Sequence, residues 1–274
     1  MFVGINFKTM RVKYMMIGFG MMMCGLAFAQ KVTFAQQELN DFAHRLGEIA
    51  ADRPECLTWA VTEYEKTFAG KRAGLCDSAY LILEDFAAFG IDLVSFNLPL
   101  SQASGEAGEK YRHRLEKNYF KIINSENDLL AEADLFALQN RIRPFLSPET
   151  FEFLQGVERE RQKNTARLSP KELAEGACFW EDFVTKYPLN VFADEAHDRR
   201  DAYLDMLIFG NEAYPLFDAK GKINADYRAV LQGLEKEFQQ GKKASKTHQV
   251  AHKFWEVLSR ENFTDGPDIW LFTF

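Results

Sequence analysis

Cysteine, proline and glycine are all scarce in this chain, at four, eight and 17 among 274 residues. Collagen-like, low-complexity and disulfide-framework classes are thereby excluded. Basic residues are also in deficit, 33 against 40 acidic, for a formal charge of −7. That balance argues against a nucleic-acid binder, which needs clustered Lys and Arg to displace phosphate counterions. Methionine is missing from most of the chain, since seven of the eight lie within residues 1 to 23 and Met206 is the eighth. Sustained two-residue alternation is absent too, which removes the pattern of a sandwich or barrel.

The methionine-rich stretch reads as a segment foreign to the rest. Lys8, Arg11 and Lys13 precede an almost wholly apolar run at residues 14 to 29, and Ala27 and Ala29 are the small residues a signal peptidase reads. A secretory signal peptide over residues 1–29 is expected, with cleavage between Ala29 and Gln30. The run is shorter than the ~20 apolar residues a membrane-spanning helix needs. Export places the mature chain in the periplasm or outside the cell, where thiols can oxidise. Cys56 and Cys76 are 20 residues apart, a separation that suits two antiparallel helices joined near Gly70 to Gly74, and a disulfide between them is expected. Cys178, within Ala177 to Trp180, is then left as a buried thiol.

The mature chain has helical periodicity. Leu39, Phe42, Ala43, Leu46, Ile49 and Ala50 follow three-and-four spacing after a Thr33/Gln36 start signal. Ser169-Pro170-Lys171-Glu172, flanked by Leu168 and Leu173, carries an N-cap, a first-position proline, a glutamate able to reach back and a hydrophobic staple. Ser147-Pro148-Glu149 repeats the device, and Ser125 with Asp128 is read as opening a helix that carries Leu129, Ala133, Phe136 and Ala137. All eight prolines fall at segment edges, so the fold class is all-α. Small and turn residues from Asn97 to Gly108 mark a loop or linker between an N-terminal helical unit, residues 30–96, and a helical domain, residues 109–274. A long loop within one continuous array fits the same letters.

Residues 179–207 laid over 230–258, an offset of 51 without gaps, put like with like. Trp180 meets Leu231, Phe183 meets Leu234, Tyr187 meets Phe238, Ala193 meets Ala244, Tyr203 meets Phe254, Leu204 meets Trp255 and Leu207 meets Leu258. Each copy reads as helix, turn, helix. The string Phe183 to Pro188 followed by Ala193-Asp194-Glu195-Ala196 resembles the tetratricopeptide-like (TPR-like) repeats of bacterial envelope proteins, such as outer-membrane assembly lipoproteins and cell-division coordinators. The 51-residue spacing exceeds that family's 34. The resemblance implies helical hairpins packed as an α-α array that binds a protein or peptide partner, without chemistry of its own.

The constellations that carry chemistry are weak. His248 and His252 have metal-sharing spacing, yet the residues between them lack the glutamate of a zinc-protease motif. Asp194, His197, Asp198 and Asp201 form a helical stripe better read as an acidic, solvated helix start. Asp218 to Ile223 puts Leu216, Lys220 and Tyr227 where calcium ligands belong, so it reads as a polar turn. Gly105 to Lys110 is too short for a phosphate loop, and no nucleophile elbow occurs. The expectation is a non-enzymatic interaction or scaffold module of the bacterial envelope, with no catalytic, cofactor or metal residues. The alternative is a helical envelope hydrolase acting on cell-wall glycan or peptide.

Overall fold

The computed structural model describes residues 33–97, 105–124, 129–163 and 167–273. The expected cleavage point at Ala29 and Gln30 lies outside the described residues. The chain divides into residues 1–38 and a compact unit of residues 39–274. Of the first, the described part opens helix α1 (Phe34–Gly47), where Gln36 N–H donates to Thr33 Oγ1 at 3.2 Å. Everything below concerns the second unit.

The fold is all-α. Helices α2 (Cys56–Phe68) and α3 (Ala73–Asn97) form a hairpin, followed by α4 (Gly105–Glu116). The last four residues of the expected 97–108 loop are therefore helical, and residues 98–104 lie outside the described residues. Val94 on one side of that segment and Leu115 on the other share a core with Cys56, Leu57 and Phe120. Among the described residues no helix is long and apolar enough to cross a membrane.

One expectation is overturned at residues 129–133. Instead of a helix, Leu129–Ala133 is strand β2, paired antiparallel with β1 (Phe120–Asn124). Ile122 lies opposite Ala131 and Phe120 opposite Ala133 on the core side, while the Ile123/Leu130 pair is exposed. The inward positions of β2 are alanines, which carry no visible alternation, whereas Leu129, Ala133 and Phe136 mimic a helical stripe. The helix that follows, α5 (Leu135–Ile142), starts at Asp134, whose carboxylate accepts from Ala137 N–H at 3.1 Å.

A 3-10 turn (Arg143–Phe145) leads into α6 (Pro148–Arg161), then α7 (Pro170–Lys186) and α8 (Ala193–Phe209). The helix starts expected at Ser147 and Ser169 are both present. Ser169 and Glu172 form the reciprocal capping box, and Leu168 and Leu173 are buried. Phe153 of α6 stacks on Phe192 at 4.4 Å between ring centres and packs against Trp180 and Phe183 of α7.

Helices α9 (Ala225–Gln239) and α10 (Lys246–Arg260) make the second hairpin. Helix α7 packs on α8, α9 on α10, α9 on α7, and α10 on both α7 and α8. The 51-residue offset holds for buried positions: Trp180 and Leu231, Phe183 and Leu234, Tyr203 and Phe254, and Leu207 and Leu258 are buried in both copies. It breaks at Leu204, which is buried, against Trp255, which is half-buried, and at Ala193, buried, against Ala244, exposed.

The segment between the hairpins folds on itself through the bridge Phe217↔Ile223. It runs along residues 263–265 through the bridge Lys222↔Thr264 and the hydrogen bonds from Ile223 N–H to the Phe263 carbonyl and from Asp265 N–H to the Gly221 carbonyl. Within it Asp218 accepts from the Lys220 and Lys222 amides, the polar turn expected there. The C-terminal tail packs back through α11 (Pro267–Trp270), with Ile269 buried and Phe272 against Phe254.

Candidate interaction site at the hairpin junction

The second hairpin is fastened to the first by charge at the start of α10. Glu181, on α7, accepts from the backbone N–H groups of Lys246 at 3.1 Å and Thr247 at 3.3 Å, and from the Thr247 hydroxyl at 3.2 Å. The first N–H groups of a helix have no partner inside the helix, so a carboxylate from a neighbouring helix satisfies them and complements the dipole. Arg200 of α8, itself buried, lies 3.5 Å from Glu181 and 2.8 Å from Asp201. Lys246 reaches Asp201 at 2.9 Å. Burial pushes the Asp201 carboxyl up, but Arg200 and Lys246 outweigh it and hold the group below the usual carboxylate range.

A second charged cluster lies between α6, α7 and α8. Trp180 donates from its indole to Glu160 at 2.5 Å, and Arg199 pairs with both Glu160 and Glu195. Arg199 also lies over the Trp180 ring at 5.5 Å. Burial, then the charge and hydrogen bond of Glu160, push the Tyr203 hydroxyl well above its ordinary range.

The expected residues fall as follows. His248 is buried, with Nδ1 2.9 Å from Ser245 Oγ and Nε2 3.1 Å from Glu237. Ser245 caps α10, accepting from His248 N–H, so its oxygen is already committed. Glu237, bonded by Lys242 and His248, is held below the usual range. His252 faces Glu235 at 2.7 Å and stacks on Phe238. The two histidines are thus turned to different carboxylates of α9 and do not converge. Asp194, His197 and Asp198 are exposed, while Asp201 belongs to the junction. Among the described residues no three His, Cys, Asp or Glu side chains group as metal ligands.

The structure does not bring Cys56 and Cys76 together, which corrects the expected disulfide. In an antiparallel hairpin, residues equidistant from the turn face each other. Cys56, at the far end of α2, lies against Gly90, where an added methyl would sit 3.3 Å from its sulfur. Cys76, near the turn, donates to the Phe68 carbonyl at 3.8 Å. The length of α2 separates them, roughly 18 Å at 1.5 Å per residue, far beyond what a disulfide spans. Burial pushes the Cys56 thiol up to about 12 and Cys178 up to about 11, so neither is primed to react. Without reductant, Cys56 and Cys76 should both alkylate once the protein is unfolded; protection of the two together would show a bridge.

Sequence reading missed Glu181, Arg200 and Asp77, because their partners lie on other elements. Asp77 of α3 is buried and accepts from Ser147 N–H at 2.9 Å, fixing the start of α6 to α3. Burial raises its carboxyl above the ordinary value, against the lowering effect of bonds from Ser147 and Thr150. The protonated form is therefore favoured by folding. Its contribution to stability is fully present below the unfolded-state value and is lost as pH rises through the folded one. Asp77→Asn keeps an acceptor and should flatten this slope in urea titrations between pH 3 and 7, whereas Asp77→Ala should destabilise by about 1–3 kcal/mol. An unchanged slope in the asparagine variant would contradict the assignment.

Compared with known proteins, the chain matches no protein family, no curated protein and no solved structure.

Proposed function

We propose that this protein is an exported, periplasmic or secreted interaction module that binds a protein or peptide partner and carries out no chemistry itself. One observation carries the reading: two helix pairs stack with buried positions recurring at 51 residues, and the charged side chains between them are spent on holding the stack. Stacked helix pairs of this kind expose extended faces suited to peptides and helices. The TPR-like string at residues 183–196 supports the same reading, and the signal-like segment at residues 1–29 supports export to the envelope.

The chemistry-bearing side chains agree with it. Ser245, His248 and Glu237 form a chain of hydrogen bonds, but the serine is a helix cap and the histidine is buried. Neither feature suits a nucleophile, which must be exposed to substrate beside a free base.

Affinity isolation from a native envelope extract tests the proposal, with the exported protein as bait. A protein partner should be retained, and the purified bait should not cleave cell-wall glycan or peptide. No partner above background, together with measurable hydrolysis, would overturn the proposal in favour of a helical hydrolase.

A further inference from the structure

The internal repeat gives each position on the second hairpin a counterpart on the first, 51 residues earlier. On the first hairpin that face is covered. Glu181 receives the N-terminus of α10, Leu204 is fully buried, and Cys178 is half-buried beside the charges of Lys242 and Glu237. The counterparts on the second hairpin are Gln232, Trp255 and Ala229. Here no further helix among the described residues covers them: with Gly233, Glu235 and Lys236 they line an open depression of roughly 590 Å³ between α9 and α10. Ala229, Gln232, Gly233 and Lys236 are exposed, and Trp255 is half-buried, its other side supported by Phe263 at 4.8 Å.

We propose that this depression docks an α-helix of a partner protein, N-terminus first, in the manner in which α10 seats on Glu181. The docking face continues the interface between the two hairpins by one repeat. At Gln232 a side-chain oxygen replaces the Glu181 carboxylate as acceptor for the first-turn N–H groups of the incoming helix. Ala229 and Gly233, one turn apart, leave room for close approach, and Trp255 offers an apolar platform. Lys236 flanks the site, so a helix with an acidic residue in its first turn fits best.

The docking site rests on the interaction-module reading, yet the two fail differently. A labelled, stapled peptide of residues 244–260 carrying Lys246→Glu is the probe, because that helix covers the equivalent face one hairpin earlier and the substitution places an acidic residue in its first turn to meet Lys236. Its fluorescence anisotropy is followed as full-length protein is added. Binding should saturate, weaken at least tenfold in Gly233→Arg, and stay unchanged in Leu189→Asp, in the exposed turn between α7 and α8. Gly233 has nothing within 4 Å of an added Cβ, so the arginine variant should fold, as far-ultraviolet circular dichroism would verify. Absent binding, or equal binding by Gly233→Arg, would overturn the docking site. So would self-association of the protein that Gly233→Arg abolishes, which would assign the face to a second copy. A partner isolated equally well by wild type and Gly233→Arg would sink the docking site while leaving the interaction-module reading intact.

Discussion

Glu181→Ala should lower the free energy of unfolding by about 3 kcal/mol, the scale of breaking a buried ion pair from one side. The carboxylate receives two backbone N–H groups, the Thr247 hydroxyl and Arg200, and its side chain is only 13% exposed. Alanine leaves the Lys246 and Thr247 amides without their acceptor and leaves buried Arg200 with Asp201 alone. Glu181→Gln should lose less, about 1 kcal/mol, because the amide oxygen still accepts while the charge is gone. Urea unfolding at pH 7 measures both. A loss under about 1 kcal/mol for the alanine variant would place the contact among ordinary surface pairs and contradict the junction.

Gly176→Ala should also destabilise, although alanine is the better helix former by about 1 kcal/mol. Gly176 sits where α7 meets α8, and an added Cβ would lie 2.6 Å from Cδ1 of the buried Tyr203 ring. That is far inside van der Waals contact, and the ring is the flat wall of a packed core. Overpacking of this kind costs about 1–3 kcal/mol, more than the propensity gain. The sign depends on Tyr203. In a Tyr203→Ala background the clash is gone, and Gly176→Ala should then stabilise by its helix propensity alone. A double-mutant cycle in urea checks this. The same sign in both backgrounds would mean that the close approach does not exist.

What the sequence disclosed and what it concealed follow from the range of each interaction. The starts of α6 and α7 were legible because a Ser-Pro cap acts within three residues, and Ser169 with Glu172 carries its whole signal in four letters. Both hairpins were legible because their buried faces recur at a fixed offset. The β1–β2 pair was not, since Ala131 and Ala133 face the core with side chains too small to mark a period. The disulfide expectation failed on geometry: 20 residues of separation suit a hairpin, but only residues equally far from its turn meet. The junction was hidden most fully. Glu181 finds its donors at Lys246 and Thr247, 65 and 66 residues away, and nothing local distinguishes it from Asp182 beside it, which is exposed.

The claim on which the rest depends is that the two hairpins stack through the start of α10. Site-resolved hydrogen exchange at the Lys246 and Thr247 amides tests it most directly, because first-turn N–H groups have no partner within their own helix and exchange readily unless something outside protects them. Both amides should be protected in the wild-type protein and lose that protection in Glu181→Ala. Exchange in the wild type as fast as at an uncapped helix end would contradict the stacking, and with it the extended face on which the proposed binding rests.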